Sequence, residues 1–233
     1  MSRPILFVLA GPNGAGKSTL YESRVALMTS AEFVNADQLA RERFGHPAGT
    51  EEESRWGQQE AERRREALMR EGKSLVVEST FSHPSKVELI EQARRRGYMV
   101  VLFHVNVESA DDAVRRVASR VARGGHPVPE ARIRGRYVRN QALIRQAVLM
   151  ADRAYIFDNS ALGKPPRLLA EFSTGMGQCR EAQLPEWAES LYGAEQEPLA
   201  AAIRILGHPQ SPSQESERGR IPRRSGRRDG CRY

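Results

Sequence analysis

Pro4-Ile5-Leu6-Phe7-Val8-Leu9-Ala10-Gly11-Pro12-Asn13-Gly14-Ala15-Gly16-Lys17-Ser18-Thr19 is the stretch that decides the fold. An apolar run reads as a buried strand, a glycine-rich turn follows, and a helix opens near Lys17. The turn fits G-x-x-x-x-G-K-S/T, the phosphate-binding loop. Gly11, Gly14 and Gly16 let the backbone take positive φ and come close to a ligand. Successive N–H groups from Gly11, Pro12, Asn13, Gly14, Ala15, Gly16, Lys17, Ser18 and Thr19 (Pro12 excepted as a donor) then surround a phosphate at a helix N-terminus, where the helix dipole also favours an anion. Lys17 is expected on the β- and γ-phosphates, and the Ser18 hydroxyl on Mg²⁺ held through the nucleotide.

Outward from this loop, strands and helices alternate. The first helix is expected from Ser18 to about Met28, and a short strand over 32–36 ends at Asp37. Thr50 with Glu53 forms a capping box for a helix reaching about Arg70, where Gly72 ends it. The run 74–80 is the next strand, closing on Glu78, Ser79 and Thr80. Pro84 starts a helix that Gly97 stops. A strand over 98–105 follows, then a helix capped by Ser109 with Asp112. Gly124-Gly125-His126-Pro127 is a loop, and 130–150 is an arginine-dense helix. The run 154–158 is a last parallel-type strand, 167–172 a further edge strand, and 185–192 a short helix. Near-continuous apolar strands between helices predict an α/β fold, a mainly parallel sheet with helices on both faces. Ligands in such sheets bind at the carboxyl ends of the strands, the rim that carries Asp37, Glu78 and Asp158.

The chain has 233 residues, 39% hydrophobic and 28% charged, which suits one soluble domain with a full core. Its net charge of +7 is uneven. The segment 207–233 carries seven arginines against Glu215, Glu217 and Asp229, hence +4, leaving +3 on residues 1–206. The expected organisation is therefore a domain over 1–206, with a lid at about 109–150, and a basic, disordered tail over 207–233. With a nearly balanced body, nucleic acid is expected as a partner only through that tail, and composition favours a solvated tail over a binding one. Cys179 and Cys231 give neither a disulfide framework nor a thiolate metal site, so a cytoplasmic location is the default. The seven-residue apolar run near the start is too short for a secretory signal or a membrane span, so no membrane association is expected. Zinc is not expected, because the histidines and cysteines lack ligand spacing.

Several side chains suit chemistry at the rim. Asp37 is either a general base for a substrate hydroxyl or the N-cap of the next helix. Glu78 either holds Mg²⁺ through water, hydrogen-bonds an acceptor, or is an ordinary turn carboxylate; Ser79 and Thr80 offer hydroxyls beside it. Arg120 and Arg123 precede the Gly-Gly loop, and Arg132, Arg136 and Arg139 share one face of the next helix, with Arg134 turned away. Two helices joined by such a loop have the form of a lid whose arginines neutralise charge during phosphoryl transfer, and Arg120, Arg123 and Arg136 are the selected candidates. His126 is expected to be structural. The Asp158-Asn159-Ser160 turn lies either near a nucleobase or is an ordinary turn.

GPNGAGKST at 11–19, FVNAD at 33–37, LVVEST at 75–80, RVARGGHPVPEARIRGRYVRN at 120–140 and IFDNS at 156–160 together resemble the zeta-toxin group of P-loop kinases. The resemblance runs from residue 4 to about 165. It implies a three-layer P-loop kinase-like fold with a helical lid, ATP or GTP as phosphate donor with Mg²⁺, and a small-molecule acceptor. For the toxins of that group it implies transfer of the γ-phosphate to UDP-N-acetylglucosamine and an antitoxin protein as partner. It also implies Asp37 as general base, Glu78 as a substrate or metal-site carboxylate, and the arginines around Gly124-Gly125 as the phosphate clamp. The alternatives are a kinase with a nucleoside, antibiotic or other sugar as acceptor, an ATP-driven nucleic-acid or transport module, and a nucleotide-binding protein without an acceptor. Neither a Leu-Ser-Gly-Gly-Gln signature nor an apolar run ending in Asp-Glu supports the ATP-driven module.

Overall fold

A computed structural model describes residues 3–125 and 127–197. His126, the tail over 207–233 and the boundary at 206 lie outside the described residues. Among the described residues the strands form one sheet, in the order β2-β3-β1-β4-β5-β6-β7-β8. β1 (Ile5–Ala10), β2 (Glu32–Val34), β3 (Leu75–Ser79), β4 (Met99–Asn106) and β5 (Arg153–Asp158) all run parallel. β6 (Arg167–Ser173) turns antiparallel against β5, and β7 (Met176–Cys179) antiparallel against β6. The short β8 (Gln196–Glu197) runs parallel to β7.

The expected single edge strand is thus the first of three added to the parallel core. Thr174 and Gly175 both have positive φ, 49° and 84°, and connect Ser173 to its cross-strand partner Met176. Positive φ at both central positions is what a tight hairpin needs to match the strand twist. Thr-Gly is a weaker signal for such a turn than Asn-Gly, and β7 is short and contains Gly177, so the strand beyond the turn escaped the sequence pattern.

Alternation along the parallel strands sends side chains to two cores. Leu6, Val8, Leu75, Val77, Val100, Leu102, Ala154 and Ile156 face one side. They are covered there by α4 (Glu51–Arg70), α5 (Ser85–Arg95), α7 (Glu130–Met150) and α8 (Glu186–Tyr192). Phe7, Leu9, Val76, Val101, Phe103, Val105 and Phe157 face the other. That face is covered by the helix that opens after the phosphate loop, through Leu20 of α1 (Lys17–Leu20) and through Tyr21 and Val25 of a π-helical stretch, Tyr21–Val25; α2 (Ala26–Met28) continues the helix without a buried residue. Fully burying one such leucine is worth about 1.5–3 kcal/mol, so the strands that carry the site rest on a rigid support. α6 (Ala110–Val121) meets the start of α7 through a smaller cluster of Val107, Ala113, Val117 and Ile133. The second half of α7, with Ile144, Ala147 and Val148, belongs to the main core. Within 109–150, α6 and the first half of α7 therefore share a small cluster apart from the main core.

One buried polar group on this frame makes the fold sensitive to acid. His104 on β4 is 1% exposed, and its Nδ1 lies 2.8 Å from the Tyr192 hydroxyl. Burial pushes its pKa down from 6.5 to about 3. The unfolded chain therefore takes up a proton that the folded chain refuses. The contribution is complete above pH 6.5 and is lost as pH falls toward about 3. Urea unfolding is expected to show stability falling by about 1.4 kcal/mol per pH unit inside that window from this group. In His104→Gln the slope flattens, although the protein is less stable throughout.

Candidate functional site

The phosphate-binding loop leaves β1 and turns into α1 at the centre of the sheet's carboxyl rim. Gly16, just before α1, sits at φ 93°, and a Cβ there would lie 2.3 Å from Asn159 Nδ2. Asn159 Nδ2 donates to Ala15 O at 2.7 Å, and Asn159 N donates to Asn106 O at 2.8 Å. Arg116 on α6 in turn donates to Asn159 O and, at 3.2 Å, to Ser160 O. The turn after β5 is thus a brace for the loop, a role that neither sequence reading of Asp158-Asn159-Ser160 contained. In Gly16→Ala both the backbone conformation and this brace are lost. Nucleotide affinity is expected to fall by about 10-fold or more, the scale of about 1.4 kcal/mol or more of strain, read by calorimetric titration.

Lys17 is 6% exposed. Its Nζ donates to Pro12 O at 3.0 Å and lies 3.6 Å from Glu78 Oε1. Burial lowers its pKa below the usual lysine value; Glu78 opposes this, Arg120 adds to it, and Asp37 opposes it again. Glu78 is the hub of the site. Its Oε2 accepts from Ser18 Oγ at 3.1 Å and from Asn35 Nδ2 at 3.0 Å. The register explains the meeting: Glu78 lies beside Leu9 on β1, at the point where β1 passes into the loop.

Asp37 does not cap its helix. α3 is Ala36–Phe44, and its N-cap is Asn35, whose Oδ1 accepts from Asp37 N at 2.9 Å and Gln38 N at 3.0 Å. The capping reading of Asp37 is thereby corrected. Its carboxylate lies on the exposed first turn, where both Lys17 and Arg136 feel its charge. α3 is held close to α4 at Gly57, where a Cβ would come within 2.5 Å of Ala36 O.

α7 closes the other side through three successive contacts. Arg136 Nη1 donates to Asn13 Oδ1 at 3.3 Å. The Tyr137 hydroxyl donates to Val107 O at 2.9 Å, and Asn140 Nδ2 donates to Thr80 O at 3.1 Å. One stretch of helix thus touches the phosphate loop and the ends of β4 and β3. Burial lowers the Arg136 pKa, and the neighbouring Arg132 and Arg139 lower it further. Arg134 instead pairs with Glu130 and Asp111. Arg132, Arg136 and Arg139 thus lie close enough to feel one another's charge, with Arg134 turned to the acidic pair. Arg120 acts on Lys17 electrostatically. Arg123 is exposed and folds back, donating to Ser119 O at 3.2 Å and Ser119 Oγ at 3.4 Å. It is not brought to the loop.

The hydroxyls after Glu78 serve the turn. Ser79 Oγ accepts from Phe81 N at 3.0 Å, and Thr80 Oγ1 lies 3.3 Å from Ser82 Oγ. Phe81 is 1% exposed and sits at φ 55°, a conformation rare for an aromatic residue. Ser79, Asn140 and the core hold it there. Asn35, Arg116, Tyr137, Asn140 and Asn159 were not selected from sequence as site-building residues. Asn-Ala-Asp after a strand was the one legible signal, because asparagine is a preferred N-cap.

The donor set suits a magnesium nucleotide. One hydroxyl and one carboxylate oxygen 3.1 Å apart, beside a loop with three glycines at positive φ, match an ion that takes its other ligands from phosphate and water. Loop, Lys-Ser pair and parallel strand order together define a P-loop protein of kinase-like α/β fold. The chain belongs to the AAA_33 family, described as an AAA domain, whose sequence profile matches residues 6–162.

Among solved structures, the chain is similar to the AvrRxo1-ORF1:-ORF2 complex with ATP, at a TM-score of 0.61 and 18% identity over 81% of this chain and 63% of that one. It is also similar to the Pnkp1/Rnl/Hen1 RNA repair complex, at 0.52 and 18% over 63% and 47%. The PezAT toxin-antitoxin system of Streptococcus pneumoniae aligns at 0.48 and 15% over 68% and 69%. The chain spans just under two thirds of the AvrRxo1-ORF1:-ORF2 chain it matches. At these identities the likeness is one of fold. None of the curated proteins matches the sequence.

Proposed function

We propose that the protein is a small-molecule kinase that uses ATP or GTP and transfers the γ-phosphate to an acceptor hydroxyl. The observation that carries this reading is Asp37: relieved of capping by Asn35, its carboxylate stands on the rim of the phosphate loop. In the reaction Asp37 accepts the proton of the acceptor hydroxyl. The acceptor oxygen bonds to the γ-phosphorus as the bond to the β-phosphate oxygen breaks, and the nucleoside diphosphate leaves with the electron pair. Lys17 and Arg136 neutralise charge on the transferred group, with Arg120 beside Lys17. Ser18 and Glu78 would hold Mg²⁺, which would supply charge neutralisation to the nucleotide phosphates. This assigns Glu78 to the metal side of the site, with Ser79 and Thr80 supporting the turn.

UDP-N-acetylglucosamine is the first acceptor to test, on the strength of the motif resemblance. The same resemblance makes an antitoxin a candidate partner, and AvrRxo1-ORF1 was itself solved with a second protein, ORF2. The test is incubation with Mg²⁺, ATP or GTP and a panel of UDP-N-acetylglucosamine, nucleosides, free sugars and antibiotics, read by mass spectrometry. A product carrying one added phosphoryl group is expected. Nucleotide binding with no phosphorylated product from any acceptor overturns the kinase reading in favour of a nucleotide-binding protein.

A further inference from the structure

Asn140 lies in the middle of α7 and is 0% exposed. Its Nδ2 donates to Thr80 O at 3.1 Å, across 60 positions of the chain. Its Oδ1 is buried and, among the described residues, has no hydrogen-bond partner. A side chain that only filled this space would do better as leucine, which has a similar volume, a higher helix propensity and no unpaired oxygen. The asparagine is therefore explained by what its nitrogen holds.

It holds one end of a single peptide group. The Thr80 C=O and the Phe81 N–H belong to the same planar unit. The N–H donates to Ser79 Oγ at 3.0 Å, and the C=O accepts from Asn140. Phe81 sits at φ 55° with its side chain in the main core. A non-glycine residue stays in that region only where its surroundings over-determine it. The sheet gives no help here: β3 pairs with β2 only as far as Val77, and with β1 only as far as Ser79. The peptide lies beyond both ladders, pinned by one hydroxyl and one carboxamide. It sets the path by which the chain leaves the strand end that carries Glu78. One helical turn before Asn140, Arg136 meets Asn13 of the phosphate loop, so one face of α7 grips both sides of the site.

We propose that Asn140 is a positioning residue: it keeps the Thr80–Phe81 peptide from turning over, and so holds Glu78 where it meets Ser18 and Asn35. Without that hold, a half-turn of the peptide takes Phe81 out of the left-handed region and breaks the bond to Ser79 Oγ. The end of β3 then loosens, and the carboxylate loses its place beside Ser18. The metal role of Glu78 rests on the kinase reading; the pinned peptide does not.

Two arms test this on the full chain. The first needs no ligand and follows exchange of the Phe81 amide proton by NMR. Asn140→Leu is expected to speed it by about 10-fold or more, while the Val76 and Val77 amides inside β3 keep their rates. Unchanged Phe81 exchange overturns the proposal. Circular dichroism melts establish that each variant is folded, and Asn140→Asp, which keeps the shape and loses the donor, is expected to act in the same direction.

The second arm titrates a non-hydrolysable ATP analogue calorimetrically with and without Mg²⁺. In wild type Mg²⁺ is expected to raise the affinity. In Asn140→Leu that gain is expected to shrink by about 10-fold, the scale of losing a group that orients a metal ligand, while affinity without Mg²⁺ holds. Ser79→Ala releases the other end of the same peptide without touching α7, and is expected to give the same loss. An undiminished gain in either variant, or an equal loss with and without Mg²⁺, overturns the positioning role. A failed kinase reading shows itself differently: no acceptor is phosphorylated by wild type, while the Phe81 exchange difference persists.

Discussion

Asp37→Asn is expected to lower kcat by about 10²–10⁴-fold, the contribution typical of a positioned general base, while nucleotide affinity is held. The substitution keeps the size of the side chain and the backbone of α3, whose N-cap is Asn35 and whose first turn is tied through backbone N–H groups. Only the proton acceptor and its negative charge are lost. The readout is acceptor phosphorylation at saturating ATP together with calorimetric titration of the ATP analogue. Equal kcat in the variant removes Asp37 from the chemistry. A parallel loss of nucleotide affinity would mean that the carboxylate acts on Lys17 and Arg136 rather than on the acceptor.

Lys17→Met is expected to cost about 10²–10³-fold in kcat/KM, the scale of removing one preorganised donor from a transition-state site. Lys17 is nearly buried, and its ammonium reaches Pro12 O and Glu78 in the free protein. Methionine fills the same volume without the charge. It leaves Glu78 with Ser18 and Asn35 as its remaining partners. The melting temperature is expected to hold, because a lysine whose charge burial disfavours is replaced by an apolar chain of similar shape. A variant that retains wild-type kcat/KM would show that the loop backbone alone carries the phosphate.

These two residues illustrate what was legible from sequence and what was not. Lys17 could be placed because its chemistry is fixed by neighbours in the chain: strand, glycines and helix start occupy consecutive positions, and each leaves a compositional mark. The parallel core and the arginine face of α7 were readable for the same reason, since periodicity is a local property. Asp37 was ambiguous because two adjacent polar residues, Asn35 and Asp37, both suit a helix start, and pattern alone does not say which turns its side chain back on the backbone. The brace from Arg116 to Asn159 to Ala15 joins residues more than a hundred positions apart, and each looks ordinary in its own segment. Arg65 was likewise indistinguishable from Arg63 and Arg64. That Arg63 pairs with Glu60 and Arg64 with Glu32 while Arg65 turns toward α5 is decided by which way α4 faces, and that is set by packing on the sheet. The strands after β5 were half-read, because Thr174-Gly175 supplies a hairpin turn with little of the usual signature.

Asn35 has a consequence for which sequences can occupy this site. Its carboxamide has two chemically different ends. The oxygen serves the helix that carries Asp37, and the nitrogen serves Glu78. Serine or threonine would keep the cap but lack the second reach. Aspartate would keep the cap and set a second negative charge against Glu78. Among these N-cap residues asparagine alone carries an uncharged donor and an acceptor on separate atoms, so that one side chain serves both partners. The spacing between the helix that carries Asp37 and the Glu78 carboxylate is therefore written into one side chain, and variation there would misalign two partners at once.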